Sequence, residues 1–362
     1  MNYNTDQKAL IALADLEVPA RKGYELWDEF GDGETIFAEL TKSDYAKKVL
    51  GTLFPSVEAK FGITYAEDVI AECESRGVYV LTAADDDFPS KLADMLNPSY
   101  AMFCRGNKGL FETKCISVVG TRKYTAYGEA VAKTFSKTLA KHFTVVSGLA
   151  YGIDSIAHRT TLDEEGSTIA VLGSGVGDVY PTTNQSLAER IVAEGGLLMS
   201  EYGLHSDPLS FHFPDRNRIV AALSVGVLVC ESPTKSGTLL TARNAMDEGR
   251  DVFAVPGDIF LRSLRGGNEL IKSGDAVCVT SPDDIIEYYG LDNDEEKAEF
   301  QLTFQEQAIV DVLQNGQSTF DKIVQITQIL PAELNFLLAK LEIKSIISKL
   351  PGNSYRLTGG IK

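Results

Sequence analysis

Residues that could bind an anion follow several short apolar runs of this sequence. Gly120-Thr121-Arg122 ends one such run, and Ser147-Gly148 ends the next. Glycine allows a ligand to approach the backbone closely, and an arginine side chain can fork onto a phosphate or lie flat against a base. Taken alone, Gly120-Thr121-Arg122 is equally compatible with an ordinary strand-to-helix turn that carries a surface arginine.

Two further clusters combine cations, hydroxyls and aromatic rings next to predicted helix starts. They are Phe213, Arg216, Asn217 and Arg218, and Lys235, Ser236, Gly237 and Thr238. Helix N-termini with free N–H groups attract anions, and aromatic faces beside cations suit nucleic-acid bases. The simpler alternative for the first cluster is a capped helix with arginines in solvent. Together with the glycine turns, these clusters predict a binding site for a phosphate-bearing ligand.

Other kinds of chemistry are poorly supported by the sequence. Asp154 and His158 are one helical turn apart and could form an acid–base pair, but a helix cap and a hydrogen-bonded structural histidine explain them more simply. The glycines at 173–177 lack the spacing of a dinucleotide fingerprint, and no GxxxxGK[ST] motif is present. The four histidines and five cysteines lack metal-ligand spacing. We therefore predict no catalytic residue, no metal and no cofactor.

Charge and composition constrain the setting of the protein. The net charge of −17 argues against bulk attraction to a polyanion, so a nucleic-acid site must be a local cationic patch. An odd number of cysteines, without CxxC pairs, is typical of a reducing compartment. No run approaches the roughly 20 apolar residues that span a bilayer. We expect a soluble cytoplasmic protein that does not bind membranes.

The elements that must position these residues alternate along the chain. Strands are predicted at 77–82, 100–105, 116–119, 144–146, 168–172, 197–200, 226–230, 251–255 and 276–279. Helices are predicted at 127–141, 153–162, 183–194, 217–223, 239–248, 267–272 and 282–288. This alternation predicts an α/β fold with an extended, doubly wound, Rossmann-like and mostly parallel sheet over 77–290. Right-handed crossovers then place the glycine turns along one edge of the sheet.

Two smaller domains are predicted to flank this sheet. Residues 1–76 have helical periodicity broken by glycines, which indicates a small helical domain. Residues 291–303 form an acidic linker, and 304–362 have the outline of a winged helix: three helices and a hairpin. Its third helix carries Lys340 and Lys344 but also Glu333 and Glu342. DNA recognition and protein contact therefore both stay open for this domain.

Several motifs in order resemble one protein family. They include VVGTRKYTAYG at 118–128, VSGLAYGIDSIAH at 146–158, FPDRNRIVAALS at 213–224, SGTLLTA at 236–242 and GRDVFAVPG at 249–257. These segments are similar to those of the DNA-processing DprA family, also called Smf. The resemblance implies a homodimeric protein that binds and protects incoming single-stranded DNA and loads the RecA recombinase onto it in natural transformation, without enzymatic turnover.

The resemblance also assigns a DNA-binding role to individual positions. These are Gly120, Thr121, Arg122, Ser147, Gly148, Phe213, Arg216, Asn217, Arg218, Lys235, Ser236, Gly237 and Thr238. Thr238 stands where serine is commoner in the family.

Two other functions compete with this interpretation. The same Rossmann variant resembles the nucleoside-monophosphate phosphoribohydrolases, whose PGGxGTxxE motif ends in a catalytic glutamate, but Thr241 stands at that position here. A DNA-binding regulator acting through the winged helix is the second rival. It predicts that deletion of 296–362 abolishes DNA binding.

Overall fold

The computed structural model describes residues 2–291, 302–314, 316–343, 346–350 and 352–357. The chain divides into two compact units, Met1–Asp292 and Asn293–Lys362. Within the described residues, no helix is both long enough and apolar enough to cross a membrane.

Short helices open the first unit and pack against the sheet. They are α1 (Thr5–Asp15), α2 (Ala20–Phe30), α3 (Gly33–Glu39), α4 (Asp44–Leu50), α5 (Phe54–Lys60) and α6 (Ile63–Ser75). A capping box starts α1, with the Asn4 side chain accepting from the Gln7 N–H at 2.9 Å. The core of these helices continues into Val80 and Phe103 of the sheet. The helices thus belong to the same compact unit as the sheet, and a domain boundary at 76 stays a sequence prediction.

The strands of the first unit form a nine-stranded, mostly parallel sheet within residues 79–278. They are β1 (Tyr79–Thr82), β2 (Ala101–Gly106), β3 (Cys115–Gly120), β4 (Thr144–Ser147), β5 (Thr168–Val171), β6 (Leu197–Ser200), β7 (Gly226–Glu231), β8 (Asp251–Ala254) and β9 (Val277–Cys278). Their order is β1-β2-β6-β5-β4-β3-β7-β8-β9, with β1 and β2 antiparallel at one edge. The predicted fold class is confirmed.

Helices cover both faces of this sheet. They are α7 (Ser90–Ala93), α8 (Ala126–Leu139), α9 (Ile153–Asp163), α10 (Gln185–Ala193), α11 (His212–Leu223), α12 (Gly237–Asp247), α13 (Arg265–Ser273) and α14 (Pro282–Tyr288). Alternate side chains of β3 point to opposite faces of the sheet. Ile116 and Val118 pack with α8 and α9 on one face. Cys115 and Val119 pack with α11 and α12 on the other. The alternation explains why the parallel strands read as continuous apolar runs.

One predicted boundary is wrong in a way that affects the site. Helix α11 begins at His212 rather than at Asn217. Pro214 falls in the first turn of the helix, where its missing N–H costs nothing because first-turn N–H groups have no partner within the helix. Arg216 therefore lies on the helix rather than in the loop before it, and Arg218 lies on the helix as predicted.

The second unit contains three helices and a small antiparallel sheet within its described residues. They are α15 (Phe304–Gln314), β10 (Ser318–Thr319), α16 (Phe320–Thr327), α17 (Pro331–Ile343), β11 (Ile347–Leu350) and β12 (Ser354–Leu357). Strands β11 and β12 pair as the predicted hairpin. The winged-helix assignment itself stays a prediction. Lys344 and most of the predicted linker, residues 292–301, lie outside the described residues.

Candidate nucleic-acid interface

The chain reverses its winding direction between β3 and β7. It runs outward from β3 through β4 and β5 to β6, then returns to place β7 on the other side of β3. In open α/β sheets the loops on either side of such a reversal separate, and ligands bind in the crevice between them. A pocket of about 880 Å³ lies there, lined by the loops after β3 and β7 and by the first turns of α11 and α12. We call it the strand-end pocket.

The strand-end pocket is cationic although the chain is acidic. Five of its lining side chains are cationic and one is acidic: Arg122, Lys123, Arg216, Lys235 and Arg262, and Asp154. The low dielectric of the pocket walls strengthens the field of these charges on a ligand inside it. The pocket therefore has the local cationic character that the sequence required of a polyanion site.

Arg122 lies in the pocket over an aromatic ring. Its guanidinium carbon is 5.2 Å from the centroid of the Phe213 ring, a cation–π arrangement. The Tyr180 ring lies on the same Phe213 ring at 5.8 Å, tilted by 55°. Arg122 is exposed, and no hydrogen bond of its guanidinium is seen among the described residues. A planar cation is thus held against an aromatic ring at the wall of the pocket.

The β3 loop that carries Arg122 is fixed to the end of β7. The Thr121 N–H donates to the Glu231 carbonyl at 2.8 Å, and the N–H of Thr125 donates to the Glu231 carboxylate at 2.9 Å. Glu231 is buried, and a Cβ at Gly128 would lie 1.9 Å from its Oε2. Gly128 is therefore required for this carboxylate to reach the loop.

The loop after β7 provides the opposite wall. Lys235 is exposed, and Ser236 caps α12, accepting from the Leu239 N–H at 3.4 Å. A Cβ at Gly237 would meet only the Asn217 Nδ2, at 3.8 Å. Asn217 itself donates to the Gly237 carbonyl at 3.3 Å. The space above Gly237 is thus left open by the protein and available to a ligand.

Arg216 is a buried support of the pocket floor. It is only 3% exposed, and its Nη1 donates to the Gly148 carbonyl at 2.6 Å and to the Val171 carbonyl. Burial lowers the pKa of Arg216 to about 10, an effect that the nearby Asp154 carboxylate opposes, so the group remains cationic at neutral pH. Most of its donors serve the protein rather than a ligand.

Arg218 lies in a different part of the molecule. Two residues along a helix are separated by about 200° around its axis, so Arg216 and Arg218 emerge on opposite sides of α11. Arg218 forms an ion pair with Glu201 and donates to the Ser99 hydroxyl at 3.4 Å. It does not line the strand-end pocket. The structure therefore does not bring Arg218 together with the other predicted residues.

The two residues of the second glycine turn, Ser147 and Gly148, have different roles. The backbone of Gly148 lines the pocket, and a Cβ there would lie 2.5 Å from Arg216 Nη2. Ser147 is fully buried, and its hydroxyl donates to the Val118 carbonyl at 2.7 Å within the sheet. Ser147 is thus a structural residue of β4, whereas Gly148 gives Arg216 the room that it occupies.

The suspected acid–base pair does not form. Asp154 accepts from the N–H groups of Gly148 at 3.2 Å and Ala150 at 3.4 Å, and burial raises the pKa of its carboxyl while Arg216 lowers it. His158 instead contacts the Thr168 hydroxyl at 2.7 Å, and burial lowers the pKa of its imidazole to about 3. His158 is therefore the hydrogen-bonded structural histidine that the simpler interpretation predicted. Asp154 is not a helix cap, because Gly152 is the N-cap of α9 and the Asp154 carboxylate instead holds the loop before the helix.

Some residues of the pocket were missed by the sequence analysis. Tyr180 and Arg262 both line it, from the loops after β5 and β8. An aromatic or cationic residue in a loop after a predicted parallel strand could have indicated both positions, since all these loops meet at one edge of the sheet. Thr241, at the position of the hydrolase glutamate, also lines the pocket, and its hydroxyl donates to the Gly237 carbonyl at 3.3 Å. Across the described residues, no group of His, Cys, Asp and Glu could hold a metal ion.

Comparison with known proteins places this geometry in context. Residues 79–290 match the family model of DNA recombination-mediator protein A. Protein Smf of Escherichia coli is 39% identical over 222 residues, which span 61% of this chain and 59% of that protein. The crystal structure of DNA processing protein A from Streptococcus pneumoniae covers 79% of this chain and 98% of its own, with a TM-score of 0.66 and 31% identity.

A second solved structure concerns a nucleic-acid ligand. The solved structure of DNA processing protein A from Helicobacter pylori gives insights into the single-stranded DNA binding mode of that protein. It covers 59% of this chain and 95% of its own, with a TM-score of 0.53 and 29% identity.

Proposed function

This chain belongs to the DNA recombination-mediator protein A family, and from that premise we propose that it binds single-stranded DNA in the strand-end pocket. The observation that carries the proposal is the pair of Arg122 and Phe213, an exposed guanidinium held over an aromatic ring among further cations. This arrangement supplies a phosphate contact beside a stacking surface. A flexible single strand can present both its phosphates and its bases to such a site, whereas a rigid duplex cannot.

We propose that recognition is largely independent of base sequence. Arginine and lysine side chains and backbone N–H groups contact phosphates, which are the same at every nucleotide. The binding constant is then expected to fall with salt, with a slope set by the few phosphates that these cations neutralise. Substitution of Arg122 is expected to weaken binding to all sequences equally.

Membership of the family extends the proposal to partners. We propose that the protein acts as a homodimer in the cytoplasm, protects incoming single strands in natural transformation, and loads the RecA recombinase onto them. A second strand-end pocket in a dimer would raise the effective concentration of the strand at each site. We further propose that the protein does not turn over nucleotides. Thr241 has a neutral hydroxyl at the position of the hydrolase glutamate, and that hydroxyl is engaged with the Gly237 carbonyl.

The test is fluorescence-anisotropy binding of a labelled poly-dT oligonucleotide and a matched duplex over a salt series. Wild type, Arg122→Ala and Arg159→Ala are compared, the last being an exposed arginine on α9 outside the pocket. We expect preference for the single strand, a loss of affinity in Arg122→Ala, and wild-type behaviour in Arg159→Ala. Equal losses in both variants would mean that net charge, not the pocket, determines binding. Release of free base from AMP would instead support the hydrolase.

A further inference from the structure

Exposed aromatic rings surround the edge of the sheet that holds the strand-end pocket. One ring lies in the loop after each of five parallel strands: Tyr124, Tyr151, Tyr180, Phe211 and Phe260. Their exposed fractions run from 40% for Tyr180 to 83% for Phe260. The loops that lead into β3, β4, β5, β6 and β8 lie at the opposite edge of the sheet, and all five are described by the structure. None of these five loops exposes a large apolar side chain. The rings are therefore a property of the pocket edge and not of loops in general.

The loop after β8 is the most apolar part of this edge. Ile259, Phe260 and Leu261 are consecutive and are 68%, 83% and 43% exposed. A run of exposed apolar residues is disfavoured in water and indicates a surface that contacts something else.

Hydrogen bonds hold this loop in a turn. The Phe260 N–H donates to Asp258 Oδ1 at 2.8 Å, and the Leu261 N–H donates to the Asp258 carbonyl at 3.1 Å. At the base of the loop, Asn268 both accepts from the Gly257 N–H and donates to the Gly257 carbonyl, each at 3.0 Å. The backbone that carries the exposed ring is thus held in place before a ligand arrives, which reduces the entropic cost of ordering this loop on binding.

The loop lies next to the cations of the pocket. Arg262 and Ser263 line the strand-end pocket directly after this apolar run. Two residues of chain span at most about 7.6 Å between Cα atoms, so the backbone of Phe260 cannot be farther than that from the backbone of Arg262. A nucleotide with its phosphate on the pocket cations would have its base within reach of this ring.

We propose that Phe260, with Ile259 beside it, is a stacking platform for a base of the single strand whose backbone occupies the strand-end pocket. This inference rests on the proposed function. A nucleobase is the occupant because it offers a flat apolar face linked to a phosphate, which matches an apolar ring next to an arginine. Stacking of this kind accepts every base, in keeping with binding that does not depend on sequence.

The test compares Phe260→Ala, Phe260→Trp and Leu96→Ala with wild type, using poly-dT and an abasic oligonucleotide of equal length. Leu96 is 73% exposed and outside the pocket, so it controls for loss of exposed apolar surface. We expect Phe260→Ala to weaken poly-dT binding by roughly fivefold or more. Its salt slope should equal that of wild type, because Phe260 contacts no phosphate. Phe260→Trp should restore affinity and its fluorescence should be quenched by poly-dT but not by the abasic strand.

Other outcomes separate this inference from the function on which it rests. If wild type binds poly-dT and Arg122→Ala weakens binding while Phe260→Ala does not, the platform is absent but the pocket stands. If wild type does not bind poly-dT, the proposed function fails as well. Sedimentation velocity measures the oligomeric state of wild type and of Phe260→Ala. A loss of affinity accompanied by a change in oligomeric state would show that Phe260 contacts protein instead, and would overturn the inference.

Discussion

The guanidinium of Arg216 is buried against the carbonyl oxygen of Gly148, with 2.6 Å between Nη1 and that oxygen. Gly148 has no side chain, and a Cβ there would lie 2.5 Å from Arg216 Nη2. The glycine that follows β4 and the arginine on α11 are thus complementary in shape as well as in hydrogen bonding. Arg216 shapes the pocket floor, whereas the exposed Arg122 lines the wall of the pocket.

Replacement of Arg216 by alanine should destabilise the fold. The change removes the donors of two buried carbonyl groups, and each unsatisfied buried acceptor costs about 1–3 kcal/mol. We expect the free energy of unfolding in urea to fall by about 3 kcal/mol. Arg122→Ala is the control, since it removes one exposed cation–π contact and should lower the free energy of unfolding by no more than about 1 kcal/mol. Equal stability of the two variants would contradict a structural role for Arg216.

The contact between Arg122 and Phe213 should be visible in a double-mutant cycle. If Phe213 positions the guanidinium, Phe213→Leu should weaken poly-dT binding strongly in wild type and less in the Arg122→Ala background. Cation–π contacts at exposed sites contribute about 0.5–1 kcal/mol. Anisotropy on the four proteins measures the coupling. Strictly additive losses would show that the ring and the cation act on the ligand independently.

Gly237, which lines the pocket, and Gly128, which leaves room for the Glu231 carboxylate, should respond oppositely to alanine. Gly128→Ala places a Cβ 1.9 Å from Glu231 Oε2 and should displace the carboxylate that fixes the β3 loop, which lowers the urea midpoint. Gly237→Ala meets nothing closer than 3.8 Å and should hold or raise stability by up to about 1 kcal/mol, because alanine favours helix.

The same Gly237 variant also reports on the ligand. If the strand approaches the backbone at the start of α12, the added methyl group should weaken poly-dT binding without loss of stability. Unchanged affinity would exclude close contact of the strand at this residue.

His205 should make stability depend on pH near neutrality. Its Nδ1 lies 2.5 Å from Asp178 Oδ2 and its Nε2 lies 2.8 Å from Glu72 Oε1, so it links α6 to the loop after β5. Hydrogen bonds to Asp178 and Glu72 raise the pKa of His205 above its ordinary 6.5, and the bond to His205 lowers the pKa of Glu72 below 4.5.

His205 and Glu72 change the free energy of unfolding in opposite directions as pH rises. A raised histidine pKa stabilises the fold fully below pH 6.5, and this contribution is lost as pH rises through the folded-state value. The carboxylate contribution is present above pH 4.5 and is lost in acid. In urea unfolding, the free energy of unfolding of wild type should therefore exceed that of His205→Gln most between pH 4.5 and pH 6.5. The difference should be small because the groups are exposed. A difference that grows from pH 7 to 9 would refute this.

Much of the fold could be predicted from the sequence because it depends on local patterns. Short apolar runs predicted β3 to β8 within a few residues of their observed bounds, since the side chains of a buried parallel strand face apolar layers on both sides. The same pattern located Gly120, Arg122, Lys235 and Gly237 at the pocket, because loops after parallel strands meet at one edge.

The role of each charged residue was decided only by the tertiary structure. Arg216 and Arg218 are near neighbours in the sequence, yet one supports the pocket floor and the other pairs with Glu201 elsewhere. Their separation depends on where α11 begins and on which elements pack against its two sides. Ser147 and His158 are likewise buried by contacts with distant strands. Residue types and spacing determined that a cationic strand-end site exists, whereas burial, which arises only from long-range packing, decided which of its residues can meet a ligand.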